Sequence, residues 1–189
     1  YGENGIVELF YAQVADESGR YQDAVERYRA VPEGERAWPA KLRVAAMLAK
    51  QGKVVEARKY LEDLPAVSIE QRVQVRQAEA QLLRDANDFA GAYAVLTLAI
   101  KEHPDSTDLL YDAAMVAEKL NRVDEAEMRL RKVVELRPED PQARNALGYT
   151  LVDRPNRAPE GFVLIQKPNT PPPNHSSTPT TMGRARARL

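Results

Sequence analysis

Apolar residues in this chain recur at spacings of three and four, a period that specifies helix and excludes strand. Leu109, Leu110, Ala113, Ala114, Ala117 and Leu120 form one stripe, and Ala126, Leu130, Val133, Val134 and Leu136 form its partner. Asn121 lies between them, so the segment reads helix, tight turn, helix. The same reading returns along the chain. Ala24, Ala57, Ala92, Ala126 and Gly161 follow one another at 33, 35, 34 and 35 residues.

Further columns keep that beat. A small residue recurs at Ala12, Ala45, Ala80, Ala114 and Gly148, with an apolar one three residues on at Ala15, Leu48, Leu83, Ala117 and Leu151. Then come Gly19, Gly52, Asn87, Asn121 and Asn156, the residue types that adopt a left-handed backbone at little steric cost. Small residues belong where two helix axes approach closely. The larger apolar column Tyr28, Leu61, Leu96, Leu130 and Ile165 fills the space between hairpins. Pro32, Pro65, Pro104 and Pro138 follow the second helices, since a residue without a donor cannot continue the helical ladder. Pro32 and Pro65 come earlier in their units than Pro104 and Pro138, which predicts second helices about one turn shorter in the first two units. Ser68 with Gln71 predicts a capping box that starts the third unit's first helix early and restores the beat.

These columns resemble the tetratricopeptide repeat family, whose usual unit has 34 residues. The resemblance covers roughly residues 5 to 167, and its best unit runs from Thr107 to Asp140. The family's frequent tryptophan in the first helix is absent, Trp38 standing outside the usual column, and only Gly148 matches its glycine. The expected fold is all-α, an α–α superhelix: a right-handed solenoid of antiparallel helix pairs. The expected array spans 1–167 in five hairpins, 5–32, 38–65, 68–104, 107–138 and 141–167. The segment Asn145–Leu151 is similar to blocks in bacterial tetratricopeptide proteins, some of them outer-membrane lipoproteins that act as assembly platforms or protease adaptors.

After Lys167 the composition turns to Pro, Ser, Thr and Arg, with little to bury, so 168–189 is expected to be a disordered tail. The chain opens without a methionine on polar and acidic residues, which reads as a fragment of something longer. Lysine plus arginine number 27 against 28 acids, which speaks against a nucleic-acid binder. No apolar run is long enough to span a bilayer, and the lack of cysteine excludes disulfides and thiolate metal sites. The compartment is not encoded here: an anchor upstream would make the protein periplasmic or outer-membrane-associated, and without one it would be cytoplasmic.

No catalytic constellation is legible. His175 falls in the tail, and His103 precedes Pro104 at a helix C-terminus, where a cation suits the helix dipole. No histidine pair has metal-ligand spacing and no phosphate-cradling glycine loop is present. We therefore expect no enzyme, no cofactor and no metal.

The resemblance places a partner on the face lined by first helices. Carried over by the repeat phase, that face holds Leu9, Gln13 and Asp16, then Leu42, Ala46 and Lys50. The next units supply Gln77, Gln81 and Arg84, then Tyr111, Met115 and Glu118, then Asn145, Tyr149 and Val152. Gln77, Gln81 and Asn145 can both donate to and accept from a peptide backbone, and Tyr111 and Tyr149 offer large anchors with polar tips. The expected peptide-binding set is Gln77, Gln81, Arg84, Tyr111, Met115, Asn145 and Tyr149. The expected function is a scaffold or adaptor for a peptide or partner protein in assembly of a bacterial envelope complex. The alternatives are a module that self-associates into a homo-oligomer through exposed helix ends, or a regulatory part of a larger enzyme-containing protein.

Overall fold

A computed structural model describes residues 2–166. The tail, with the disorder expected of it, lies outside the described residues. Ten helices follow in order: α1 Gly2–Glu17, α2 Tyr21–Arg29, α3 Ala37–Lys50, α4 Val54–Glu62 and α5 Ile69–Asp85. They continue with α6 Phe89–Glu102, α7 Thr107–Lys119, α8 Val123–Leu136, α9 Pro141–Val152 and α10 Ala158–Gln166. There is no strand among the described residues.

Each consecutive pair of helices is packed together, and α3 also touches α5 as α5 touches α7. No two even-numbered helices are in comparable contact. In the middle of the ribbon the first helices α3, α5 and α7 thus line up side by side while the second helices spread apart on the other side, which curves that stretch toward its odd-numbered helices. This is a helical solenoid, in which each hairpin is covered by its neighbours.

The turns show why the sequence columns exist. Gly19, Gly52, Asn87, Asn121 and Asn156 all have positive φ, between 56° and 80°. In the first four hairpins that turn lets the very next N–H reach back five residues. Arg20 donates to the Ala15 carbonyl at 2.8 Å, Lys53 to Leu48 at 3.0 Å, Asp88 to Leu83 at 2.8 Å and Arg122 to Ala117 at 2.8 Å. These bonds satisfy carbonyls that the helix end leaves open.

The small columns sit at the closest helix approaches: Ala12, Ala24, Ala57, Ala92, Ala114 and Ala126 are all fully buried. In the last hairpin both columns are glycine, and α9 and α10 come closer still. A Cβ on Gly161 would lie 2.5 Å from the Gly148 carbonyl oxygen and 2.9 Å from the Val152 nitrogen. In the larger column Leu61, Leu96 and Leu130 are 1 % exposed or less and Tyr28 is buried too, while Ile165 of α10 is half-buried.

The prolines act as their positions require. Helices α2 and α4 have nine residues each, against 14 for α6 and α8. Helix α5 has 17, opened by a complete capping box in which Ser68 accepts from the Gln71 amide and Gln71 accepts from Ser68. The Trp38 indole donates to Gln74 at 2.6 Å, tying α3 to α5 across one repeat.

Candidate protein-binding surface

The inner face formed by the odd-numbered helices carries two hollows. One lies between α3 and α5, about 410 Å³, lined by Leu42, Ala46, Lys50, Gln81 and Asp85 among others. The second lies between α7 and α9, about 530 Å³, lined by Tyr111, Met115, Glu118, Gln142, Asn145 and Tyr149. Of the seven residues expected from the sequence, four meet at the second hollow: Tyr111, Met115, Asn145 and Tyr149. Gln81 lines the first. Gln77 and Arg84 line neither.

Helical spacing builds the second hollow. Tyr111 and Met115 stand one turn apart on α7, and Asn145 and Tyr149 stand one turn apart on α9. Both α9 residues are exposed, Tyr149 to 63 %, whereas Tyr111 and Met115 are half-buried. The Asn145 amide makes no hydrogen bond among the described residues, which leaves both its donors and its acceptor for a ligand. Two further contacts stiffen the walls. Gln142 donates to the Tyr111 hydroxyl at 3.2 Å, and the Thr150 hydroxyl lies 2.6 Å from the Glu118 carboxylate. Both ligatures join α7 to α9. Gln142 is the wall residue that sequence reasoning missed. It lies one turn before Asn145 on the same helix side, a weak signal, because the equivalent residue of the preceding unit, Asp108, faces Arg137 instead.

The polar side chains of the central stretch are already engaged. Gln81 donates to Asp85 at 2.6 Å and accepts from Arg84, all on α5. Gln77 donates to Asp112 of α7 at 2.7 Å. Lys50 reaches Asp16 of α1 at 2.5 Å and lies 5.3 Å from the centre of the Tyr21 ring. His103 closes α6, its Nε2 buried and without a partner among the described residues. His175 lies outside them. Among the described residues no group of three or more His, Cys, Asp or Glu side chains is arranged to hold a metal, and no helix is long and apolar enough to cross a membrane.

Two tetratricopeptide repeat models match the chain, one over residues 12–67 and one over residues 83–148. A TPR repeat-containing protein of Pseudomonas aeruginosa is 33 % identical over 145 residues, which is 77 % of this chain and 25 % of that protein. The chain thus spans about a quarter of the length of that curated relative. Among solved structures, MamA 41-end from Desulfovibrio magneticus RS-1 superposes with a TM-score of 0.56 at 16 % identity, covering 87 % of this chain and 94 % of that one. MamA MSR-1 C2 gives 0.52 at 18 % identity, covering 85 % and 92 %. At such identities the likeness is one of fold.

Proposed function

This chain belongs to the tetratricopeptide repeat family and has the fold of a protein-interaction scaffold; from that premise we propose that it is an adaptor holding a peptide segment of a partner protein across α7 and α9. The observation that carries this reading is the second hollow, where a free Asn145 amide and an exposed Tyr149 ring stand opposite Tyr111 and Met115. An extended peptide laid there finds hydrogen-bonding capacity from Asn145 and apolar area from Tyr111, Met115 and Tyr149. Large aromatic residues with polar tips dominate binding energy where they are desolvated by a partner. Gln77, Gln81 and Arg84 take a different role in this reading: they shape and hold the central stretch and bind the ligand weakly.

The test is affinity capture from the source cells with three baits: the unaltered chain, Tyr111→Ala/Tyr149→Ala, and Gln81→Ala/Arg84→Ala. The captured partner should disappear with the tyrosine variant and persist with the α5 variant. Equal recovery on all three would remove the assignment. The bacterial relative and the Asn145–Leu151 block support bacterial partners, and we place the adaptor in assembly of an envelope complex. Captured partners should then fractionate with inner or outer membranes, and a purely cytosolic set would discard that placement.

A further inference from the structure

Helix α1 exposes a face that every later first helix covers. By the repeat phase Tyr11 falls in the column of Val44, Glu79, Ala113 and Leu147, none of them more than 8 % exposed. Val7 and Val14 fall in columns whose later members are likewise at most 7 % exposed. In α1 the three residues are 47 %, 51 % and 36 % exposed for Val7, Tyr11 and Val14, and Ile6 and Phe10 widen the patch at 52 % and 60 %. Tyr11 meets the edge of the Phe10 ring, 5.9 Å between centroids, and the Arg27 guanidinium of α2 at 5.5 Å.

What covers those columns elsewhere is always the same kind of element. Helices α3, α5, α7 and α9 are each packed against the second helix of the preceding hairpin, α2, α4, α6 and α8 in turn. The linkers at these junctions are short: residues 30–36, 63–68, 103–106 and 137–140. A contiguous apolar patch of this kind on a helix side marks an interaction site. We propose that this face of α1 is the seat for the second helix of a further hairpin, supplied by the same polypeptide ahead of α1, so that the solenoid continues in that direction. The occupant is an amphipathic helix with a large apolar side chain in the column of Tyr28, Leu61, Leu96 and Leu130. A second copy of the chain offering its α10 to this face would continue the stack head to tail. That contact is heterologous and does not close, so it would run on into a filament.

The repeat itself supplies a probe. Asn4 falls in the column of Ser106 and Asp140, the residues that cap α7 and α9. A fusion repeating residues 107–140 ahead of Gly5, with Asp140 in place of Asn4, therefore adds a hairpin in phase. A second fusion repeating residues 69–106, ending on Ser106, is an independent probe, and circular dichroism verifies that each is folded. Hydrogen exchange over residues 5–17 should slow by roughly tenfold or more in the fused chains, because a covered helix opens less often than an end helix. Changing Val7, Tyr11 and Val14 of the original α1 to serine within the fusion should return the exchange to its unfused rate. Exchange unchanged in both fusions overturns the proposal. Sedimentation velocity of the unfused chain should show monomer throughout. Concentration-dependent assembly abolished by Tyr11→Glu would assign the face to a second copy and overturn it as well.

Discussion

Between α3 and α5 the inner face offers Lys50, Gln81 and Asp85 over an alanine floor, and between α7 and α9 it offers Tyr111, Met115, Asn145 and Tyr149. Both hollows come from the same repeat columns and both are open to solvent. They differ in what their polar groups are doing. In the first, the lysine is held by Asp16 and the glutamine by Arg84 and Asp85. In the second, the amide of Asn145 is unspent and the Tyr149 ring stands clear. A ligand entering the first hollow must break hydrogen bonds to make its own, with little net gain, whereas in the second it forms bonds that only water held before. On the proposed reading, an inner-face position in such a ribbon binds a partner where its own helix and the next leave it free.

The largest expected effect separates the two hollows directly. Tyr111→Ala/Tyr149→Ala should weaken a captured partner by about 2–4 kcal/mol, the range of interface hot spots, while Gln81→Ala/Arg84→Ala changes the affinity by less than about 1 kcal/mol. Titration calorimetry with the identified partner measures both, and similar losses for the two would erase the distinction. Next is Gly161→Ala. Its added methyl meets backbone atoms of α9, which cannot rotate away, so α10 must move off. Overpacking of this kind costs roughly 1–3 kcal/mol. Urea unfolding should show the loss, and exchange protection should fall in α9, at one wall of the second hollow, while α3 and α5 keep theirs. A midpoint equal to wild type would mean the backbones are not in contact there.

Gln77→Ala should be milder. It removes the bond from α5 to Asp112 and leaves that half-buried carboxylate one partner short, for about 1 kcal/mol. Chemical denaturation should register it, with partner affinity unchanged; an affinity loss as large as that of the tyrosine variant would return Gln77 to the binding set. The smallest effect is one of pH. The hydrogen bond from Arg131, foremost, and that from Arg157 hold the Glu160 carboxyl below its ordinary value of 4.5. A carboxyl lowered on folding contributes stability above its unfolded pKa and loses it as pH falls through its folded one. The α9–α10 hairpin should therefore hold steady from pH 7 to 5 and loosen below about 4.5. Glu160→Gln should flatten that step, and exchange measured across the pH series would reveal it.

The fold was legible because its columns are set by sterics that act on residue type alone. Alanine and glycine at the close approaches and glycine or asparagine at the turns admit few substitutes, so their spacing survives in the sequence as a plain beat. The tyrosines and methionine of the inner face were legible for the same reason, being placed by phase. The state of the polar groups was not. Gln81 with Asp85 and Arg84 is a pattern of i+4 and i+3 neighbours that a reading for helix-surface pairs would have flagged. Gln77 with Asp112 and Trp38 with Gln74 lie 35 and 36 residues apart. Such pairs become visible only when one unit is laid on the next and the rotation between them is known. Gln142 escaped for the complementary reason: its partner is a tyrosine tip whose direction the sequence does not specify.

The short second helix α4, nine residues against 14 in α6 and α8, has a mechanical consequence. Among the described residues the packed helices are near neighbours in sequence, so tension applied at the two ends of the ribbon is borne by one hairpin junction after another. The junction with the least overlap is the one that α4 makes with α5. Stretched, the molecule would open first between its second and third hairpins, a spring with one soft coil inside the ribbon.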